Sequence, residues 1–368
     1  MKKILTLVTC CVLLISCTVQ KTKYSGAIAE FEDSLASLQR KYQLPGISIG
    51  IAYNDSIIYS KGFGLADVEN NIAMTGTTPL RIASITKPIF TTLLMKLVEE
   101  KKIDLNWKIK EHYPDYINTC ARILSYFKSD MPEYTFLLDN YQTERDDILI
   151  RHHLSHTAEN TPGTHYKYNG FLFGMLSVVV ENATHFKFDK WVDSLIIERL
   201  NLKHSASSQM DSSKLDVLKH LAYPYKKNKQ GALEKAEFPN LQLNAGAGLV
   251  FSAYDLLLFD KALNQNLLIS KKSKEKMFTP VVLADNTLSP YGYGWFIQKY
   301  QGNRLVWHYG LQPDAYSALY LKIPEKNLTL VLLANSQDLS APFDLGKGNV
   351  LNSEFAKAFL DIFLTNKK

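Results

Sequence analysis

Three serines in this chain stand three residues before a lysine: Ser84 with Lys87, Ser125 with Lys128, and Ser273 with Lys276. On the first turn of a helix that spacing puts both side chains on one face, where the amine can reach the hydroxyl. The lysine can take the serine's proton only if burial or nearby cations lower its pKa. Surroundings therefore separate the three pairs. Leu80-Arg81-Ile82-Ala83 leads into Ser84, and an apolar helix from Ile89 to Val98 follows and would bury the pair. Pro88 lacks an N–H, which the first helical turn tolerates. Ser125 reads as part of an irregular stretch beside Tyr126 and Phe127, and Ser273 lies in the charged run SKKSKEK, which reads as solvated surface. A lysine in water keeps its high pKa and is a poor base. Ser84 and Lys87 are the pair in which covalent catalysis is expected.

Other patterns carry less chemistry. Gly46-Ile47-Ser48-Ile49-Gly50 fits G-x-S-x-G, a motif that exposes its serine on a sharp strand-to-helix turn. Here it alternates like a strand and runs into a hairpin turn, so the match is read as chance. His152 and His156 are one helical turn apart, but no third ligand or H-E-x-x-H glutamate accompanies them, which favours a structural role over zinc. Lys61-Gly62-Phe63-Gly64 ends a strand without opening a helix and is rejected as a phosphate loop. The 42 basic and 36 acidic residues give a net charge of +6, with the basic residues scattered and densest at Lys226, Lys227 and Lys229. That patch reads as a solvated loop, and no nucleic-acid-binding motif stands against the reading. No cofactor or metal is implied.

The elements that must position Ser84 are drawn from both ends of the chain. Ile28, Phe31, Leu35 and Leu38 recur at helical spacing, which predicts a helix near 26–41 that ends at Pro45. GISIGIA (46–52) and SIIYSKG (56–62) around Asn54-Asp55 predict a hairpin. Further strands are predicted at 295–300, 304–308, 317–323 and 328–334. A last helix carries Phe355, Phe359, Ile362 and Phe363. The middle, about 85–290, reads as mostly helical with long loops. Strands at both termini with helices between them imply an α/β (α+β) protein. Its antiparallel sheet is built from both ends, and its sheet part (26–83 and 290–368) holds an inserted helical part (84–289).

The first seventeen residues read as an address. Met1-Lys2-Lys3 precedes a mostly apolar run to Ser16, too short to span a membrane and typical of a signal. Leu14-Ile15-Ser16-Cys17 is similar to a lipoprotein lipobox, so Cys17 is expected to carry lipid after cleavage, with 18–25 as a tether and 26–368 as the folded domain. The expected location is the cell envelope, with the membrane reached through that lipid. Of four cysteines only Cys120 would then remain, so no internal disulfide is expected.

With these landmarks in order, the chain resembles the serine β-lactamase-related family, which contains class C β-lactamases, D-Ala-D-Ala carboxypeptidases, D-aminopeptidases and several esterases. The resemblance covers about 27–365. It rests on Leu44-Pro45-Gly46, the 61–67 segment KGFGLAD, Arg81-Ile82-Ala83-Ser84-Ile85-Thr86-Lys87, and the 150–157 segment IRHHLSHT. It continues through the 162–168 segment PGTHYKY, Asn244-Ala245-Gly246-Ala247-Gly248-Leu249, Tyr291-Gly292-Tyr293-Gly294-Trp295 and Trp307-His308-Tyr309-Gly310.

The resemblance implies a β-lactamase/transpeptidase-like fold. It makes Ser84 the nucleophile and Lys87 its base, with a Tyr168 phenolate shuttling protons. His308-Tyr309-Gly310 stands where the family has K-T-G or H-x-G, His308 bringing a donor or positive charge to substrate. The backbone N–H groups of Ser84 and Leu311 would form the oxyanion hole. Two departures follow. Gly170 replaces the asparagine of Y-x-N, which holds a substrate amide in the family, and His308 replaces a permanently charged lysine. Both losses point away from β-lactams and toward a small-molecule or peptide substrate with an ester or amide bond. Residues 117–147 read as an expansion flanking the cleft. A D-Ala-D-Ala carboxypeptidase or β-lactamase is the alternative enzyme, and a catalytically silent peptide-binding or sensor lipoprotein is the alternative of another class.

Overall fold

A computed structural model of the protein describes residues 24–365, apart from Leu241. The signal segment, Cys17 and most of the 18–25 tether lie outside the described residues. A seven-stranded antiparallel sheet organises the molecule. Its strands are β1 (Gly46–Tyr53), β2 (Ser56–Asp67), β3 (Ile72–Ala73), β4 (Phe296–Tyr300), β5 (Asn303–Gln312), β6 (Tyr316–Ile323) and β7 (Leu328–Ala334). They lie in the order β3-β2-β1-β7-β6-β5-β4. The join between the two ends of the chain is β1 against β7, with Ile47 opposite Ala334 and Tyr53 opposite Leu328.

Five longer helices pack around the sheet: α1 (Ser25–Tyr42), α2 (Thr86–Glu99), α3 (Tyr116–Asp130), α4 (Ala253–Asn264) and α5 (Glu354–Thr365). Strand alternation divides the core between two faces. Ile47, Ile49 and Ile51, Leu319 and Leu321, and Leu330 and Leu332 point toward Phe31 and Leu35 of α1 and Phe355 and Phe359 of α5. The intervening Ala318, Tyr320, Val331 and Leu333 face Ile89 and Phe90 of α2 and Leu256 and Leu257 of α4. Both faces are covered, so the central strands are buried along their whole length. Burying each such large side chain contributes about 1.5–3 kcal/mol.

The Ser48 pattern has a packing cause. A Cβ on Gly50 would sit 2.7 Å from the Leu257 side chain, so glycine lets α4 lie directly on β1. Ser48 is fully buried inside that strand, far from any strand-to-helix turn. Two serine settings differ from the sequence reading. Ser125 lies on a regular helix, α3, whose Tyr116, Cys120 and Phe127 are buried on one side, while Ser125 and Lys128 are exposed. Ser273 is buried at the start of the helix Lys271–Met277, where it caps against Ser270, while Lys276 stays exposed.

Residues 84–289 are rich in helix and loop but also contribute two short strand pairs. Leu80–Arg81 pairs with Val250–Phe251, and Tyr225–Lys227 pairs with Leu233–Lys235. The second pair takes up the basic patch as a hairpin, with Lys226 near Glu234 at 3.5 Å and Lys227 near Asp338 at 3.1 Å. Among the described residues no helix is long and apolar enough to cross a membrane.

Candidate active site

Ser84 sits in a single 3-10 turn, Ala83–Ile85, that runs directly into α2. The turn is pinned from both sides. Ile82 N–H donates to the Leu249 carbonyl at 3.1 Å, extending the short strand pair up to the nucleophile. Ala83 adopts φ +45°, a left-handed conformation that L residues avoid and that persists only where the surroundings enforce it. Strand β5 supplies part of that enforcement. A Cβ at Gly310 would lie 2.5 Å from the Ile82 carbonyl oxygen and 3.3 Å from the Ala83 Cβ. Glycine at this position is what lets β5 press against the protein's own nucleophile turn.

Lys87 is one helical turn on and 1% exposed. Its Nζ lies 2.9 Å from Ser84 Oγ and 2.9 Å from the Gly246 carbonyl oxygen. No acidic side chain is paired with it among the described residues. The rings of Tyr168 and Phe173 lie 5.2 and 5.4 Å from the amine. Desolvation without a counter-ion favours the neutral amine, and burial pushes the Lys87 pKa down to about 7. Lys128 and Lys276, exposed at the other two Ser-x-x-Lys sites, have no such environment.

Tyr168 is placed by a clamp that the sequence reading did not identify. His156, at φ +55°, donates no side-chain bond but receives two backbone ones. The Lys167 N–H donates to its carbonyl at 2.9 Å, and the Asn169 N–H donates to its Nδ1 at 3.1 Å. Asn169 in turn caps the short helix Gly170–Gly174 through Leu172 N–H, and its amide donates to buried Glu159 at 2.8 Å. Glu159 also pairs with Lys167 at 2.7 Å. Both chain neighbours of Tyr168 are thus tied down, and its ring packs 4.4 Å from that of His156. Only the i, i+4 histidine spacing hinted at this, and it fits no metal site: His152 Nδ1 accepts from Leu149 N–H, as His156 Nδ1 does from Asn169.

The Tyr168 hydroxyl is buried, has no hydrogen-bond partner, and lies within electrostatic reach of the Ser84 and Tyr309 hydroxyls. Burial, then neighbouring Tyr309, raises its pKa well above the usual phenol value. Burial thus favours the neutral phenol over the phenolate that the resemblance implied, with the Lys87 amine 5.2 Å from the ring. His308 packs near the same ring, at 6.1 Å. It is fully buried, with Nε2 2.8 Å from the Tyr291 hydroxyl and Nδ1 2.7 Å from the Tyr309 carbonyl oxygen. Burial and then Lys87 hold its pKa well below the ordinary value. The resemblance implied a donor or positive charge for substrate at this place; in the structure both ring nitrogens are engaged by Tyr291 and Tyr309, and the ring packs beside Tyr168. Tyr309 is likewise buried, its ring 5.5 Å from that of Tyr168.

Gly170 leaves open space, since a Cβ there would meet only Lys87 Nζ at 3.7 Å. Leu311 stands opposite Ser317 in the β5–β6 ladder and, with Ala83 and Ala247, borders a cavity of about 410 Å³ beside the nucleophile. Among the described residues no group of three or more His, Cys, Asp or Glu side chains could hold a metal ion.

The chain is similar to known proteins in sequence and fold. The profile of the Beta-lactamase family matches residues 31–352. The chain is 26% identical over 313 residues to protein flp of Staphylococcus aureus (strain MW2), covering 80% of this chain and 60% of that protein. It is 28% identical over 325 residues to a penicillin-binding protein of Bacillus subtilis (strain 168), covering 82% of this chain and 70% of that one. The chain therefore spans about 60% of the length of the flp proteins it matches. Among solved structures, the octameric penicillin-binding protein homologue from Pyrococcus abyssi superimposes with a TM-score of 0.73 at 22% identity, over 92% of this chain and 77% of that one. With a profile matched along most of its length and this architecture, the chain belongs to the β-lactamase family and has the β-lactamase/transpeptidase fold.

Proposed function

We propose that the chain is a serine hydrolase that cleaves an ester, amide or short peptide through an acyl-enzyme. The observation that carries this is the contact of 2.9 Å between Ser84 Oγ and a buried Lys87 whose pKa is pushed down to about 7. A neutral amine at that distance accepts the hydroxyl proton as Oγ attacks the carbonyl carbon. The N–H groups of Ser84 and Leu311 hold the oxyanion. As the carbon–leaving-group bond breaks, the Tyr168 phenol donates its proton to the departing oxygen or nitrogen and recovers one from the Lys87 ammonium. Water then attacks the acyl-enzyme, giving its proton back through the same groups as Ser84 Oγ leaves. A base of lowered pKa beside an acid of raised pKa divides the two tasks.

His308 supplies no cation for a terminal carboxylate and Gly170 no amide for an acylamino group, which favours the ester or amide reading over carboxypeptidase or β-lactamase activity. The Leu14-Ile15-Ser16-Cys17 sequence supports anchoring of this hydrolase to the cell envelope by lipid on Cys17.

The test is labelling by a fluorophosphonate followed by mass analysis. The expected result is one adduct, on Ser84, absent from Ser84→Ala. A folded wild-type chain that never labels would overturn the proposal in favour of a silent binding protein.

A further inference from the structure

We infer that the cavity beside Ser84 is an acyl pocket selective for uncharged, apolar acyl groups, an inference that rests on the hydrolase reading above and names the substrate class. The cavity, of about 410 Å³, is walled by four sets of residues. Ala83 and Ala247 flank the nucleophile turn and the Gly246 carbonyl. Leu311, Gln312 and Pro313 continue the exposed end of β5. Phe127, Met131 and Tyr134 come from α3 and the turn after it. Pro239 and Asn240 complete it.

No lining residue carries a charge, and only the Asn240 and Gln312 amides and the Tyr134 hydroxyl are polar. A carboxylate or ammonium entering this space would lose its hydration without a counter-ion, whereas an alkyl or aryl group would gain transfer free energy. Proton traffic decides which end of the substrate enters. Ser84, Lys87 and Tyr168 all stand outside the cavity lining, which reaches the nucleophile turn through Ala83 and the oxyanion strand through Leu311. With Tyr168 as donor to the leaving group, the cavity on the Ala83 and Leu311 side is assigned to the group that stays on Ser84.

Phe127, Met131 and Tyr134 fall within 117–147, the segment expected from the sequence to be an expansion flanking the cleft. Phe127 is buried and tied to Tyr134 and to Phe171 by ring contacts at 6.2 and 5.7 Å. The wall is thereby fixed to the helix that follows Tyr168. Met131 is half-buried at the end of α3 and outside the catalytic groups.

The experiment is a kcat/KM series on p-nitrophenyl esters from acetate to decanoate. A half-ester of succinate serves as the charged comparison, and the wild type is run beside Met131→Trp and Met131→Asp. Fluorophosphonate labelling of Ser84 in each variant confirms a folded, reactive site. For the wild type, kcat/KM is expected to rise about fourfold per added methylene until the pocket fills. The charged ester is expected to be at least about tenfold slower than its uncharged counterpart of equal length. Met131→Trp should move the optimum to shorter chains, and Met131→Asp should flatten the gain with length. A wild type that labels on Ser84 yet prefers acetate, or prefers the charged ester, overturns the pocket assignment while leaving the hydrolase reading intact. Equal length dependence in all three proteins does the same. Failure of Ser84 to label at all takes down both.

Discussion

Two lysines are buried among the described residues, and they are buried differently. Lys87 and Lys322 are 1% and 2% exposed. Lys322, on β6, is ion-paired with Asp260 of α4 and donates to Asn264 Oδ1 at 2.9 Å. Asp260 also accepts from the Tyr320 and Thr329 hydroxyls, so every charge in that cluster is answered. Lys87 has a hydroxyl, a carbonyl oxygen and two aromatic faces for neighbours. The first arrangement ties a helix to the sheet. The second drives off a proton and leaves a base beside a serine. Depth is the same; the presence of a carboxylate decides whether a buried lysine holds the fold or performs chemistry.

Parallel substitutions to methionine, which keeps the length of the side chain, turn this contrast into measurements. Lys87→Met is expected to lower kcat/KM for an ester by at least about 10³-fold, while Tm holds steady or rises, since a site strained for function is relieved. Lys322→Met is expected to do the reverse. It strands Asp260 as a buried unpaired charge at a cost of about 3–5 kcal/mol, read as a lower denaturation midpoint. The protein that remains folded keeps its kcat/KM within about twofold. Similar losses of activity in both variants would erase the distinction. The smallest effect is expected at Ser48. Its buried hydroxyl has no hydrogen-bond partner, so Ser48→Ala should leave activity unchanged and stability within about 1 kcal/mol of wild type or above it. A measurable loss of turnover there would reopen the G-x-S-x-G motif.

How far these differences could be read from the sequence follows from what kind of signal each leaves. The terminal helices and the hairpin leave periodic patterns, and α1, α5 and the strands of the sheet fall close to where periodicity puts them. Ser84 stood out because an apolar helix follows it within a few residues, so burial of Lys87 was a local inference. Lys322 left no such mark, since Asp260 is 62 residues away and only the fold brings them together. The same holds for the Gly246 carbonyl, 159 residues from Lys87.

Long-range packing also decided the readings that changed. His308 looked available because its strand neighbours are ordinary, yet Tyr291 and the Tyr309 backbone take up both of its nitrogens. Gly310 carried no packing signal in the sequence, yet the Ile82 carbonyl oxygen lies 2.5 Å from where its Cβ would be. Ser273 looked solvated from its charged neighbours, but helical periodicity turns it inward while Lys271, Lys272 and Lys276 stay exposed. The clamp on Tyr168 through His156, Asn169 and Glu159 depends on a left-handed histidine that no motif marks.

The central claim is that Lys87 is a neutral base for Ser84 near neutral pH, and the pH dependence of acylation tests it most directly. The rate of fluorophosphonate labelling measures attack by Ser84 without the later steps. Below the Lys87 pKa the ammonium cannot accept a proton, so labelling should be slow. It should rise tenfold per pH unit toward about 7 and level off above it. Lys87→Met should be slow and show no such rise. His308, whose pKa is held well below the ordinary histidine value, should contribute no inflection near that value. A wild-type rate that is flat across this range, or that falls as pH increases, would contradict the account.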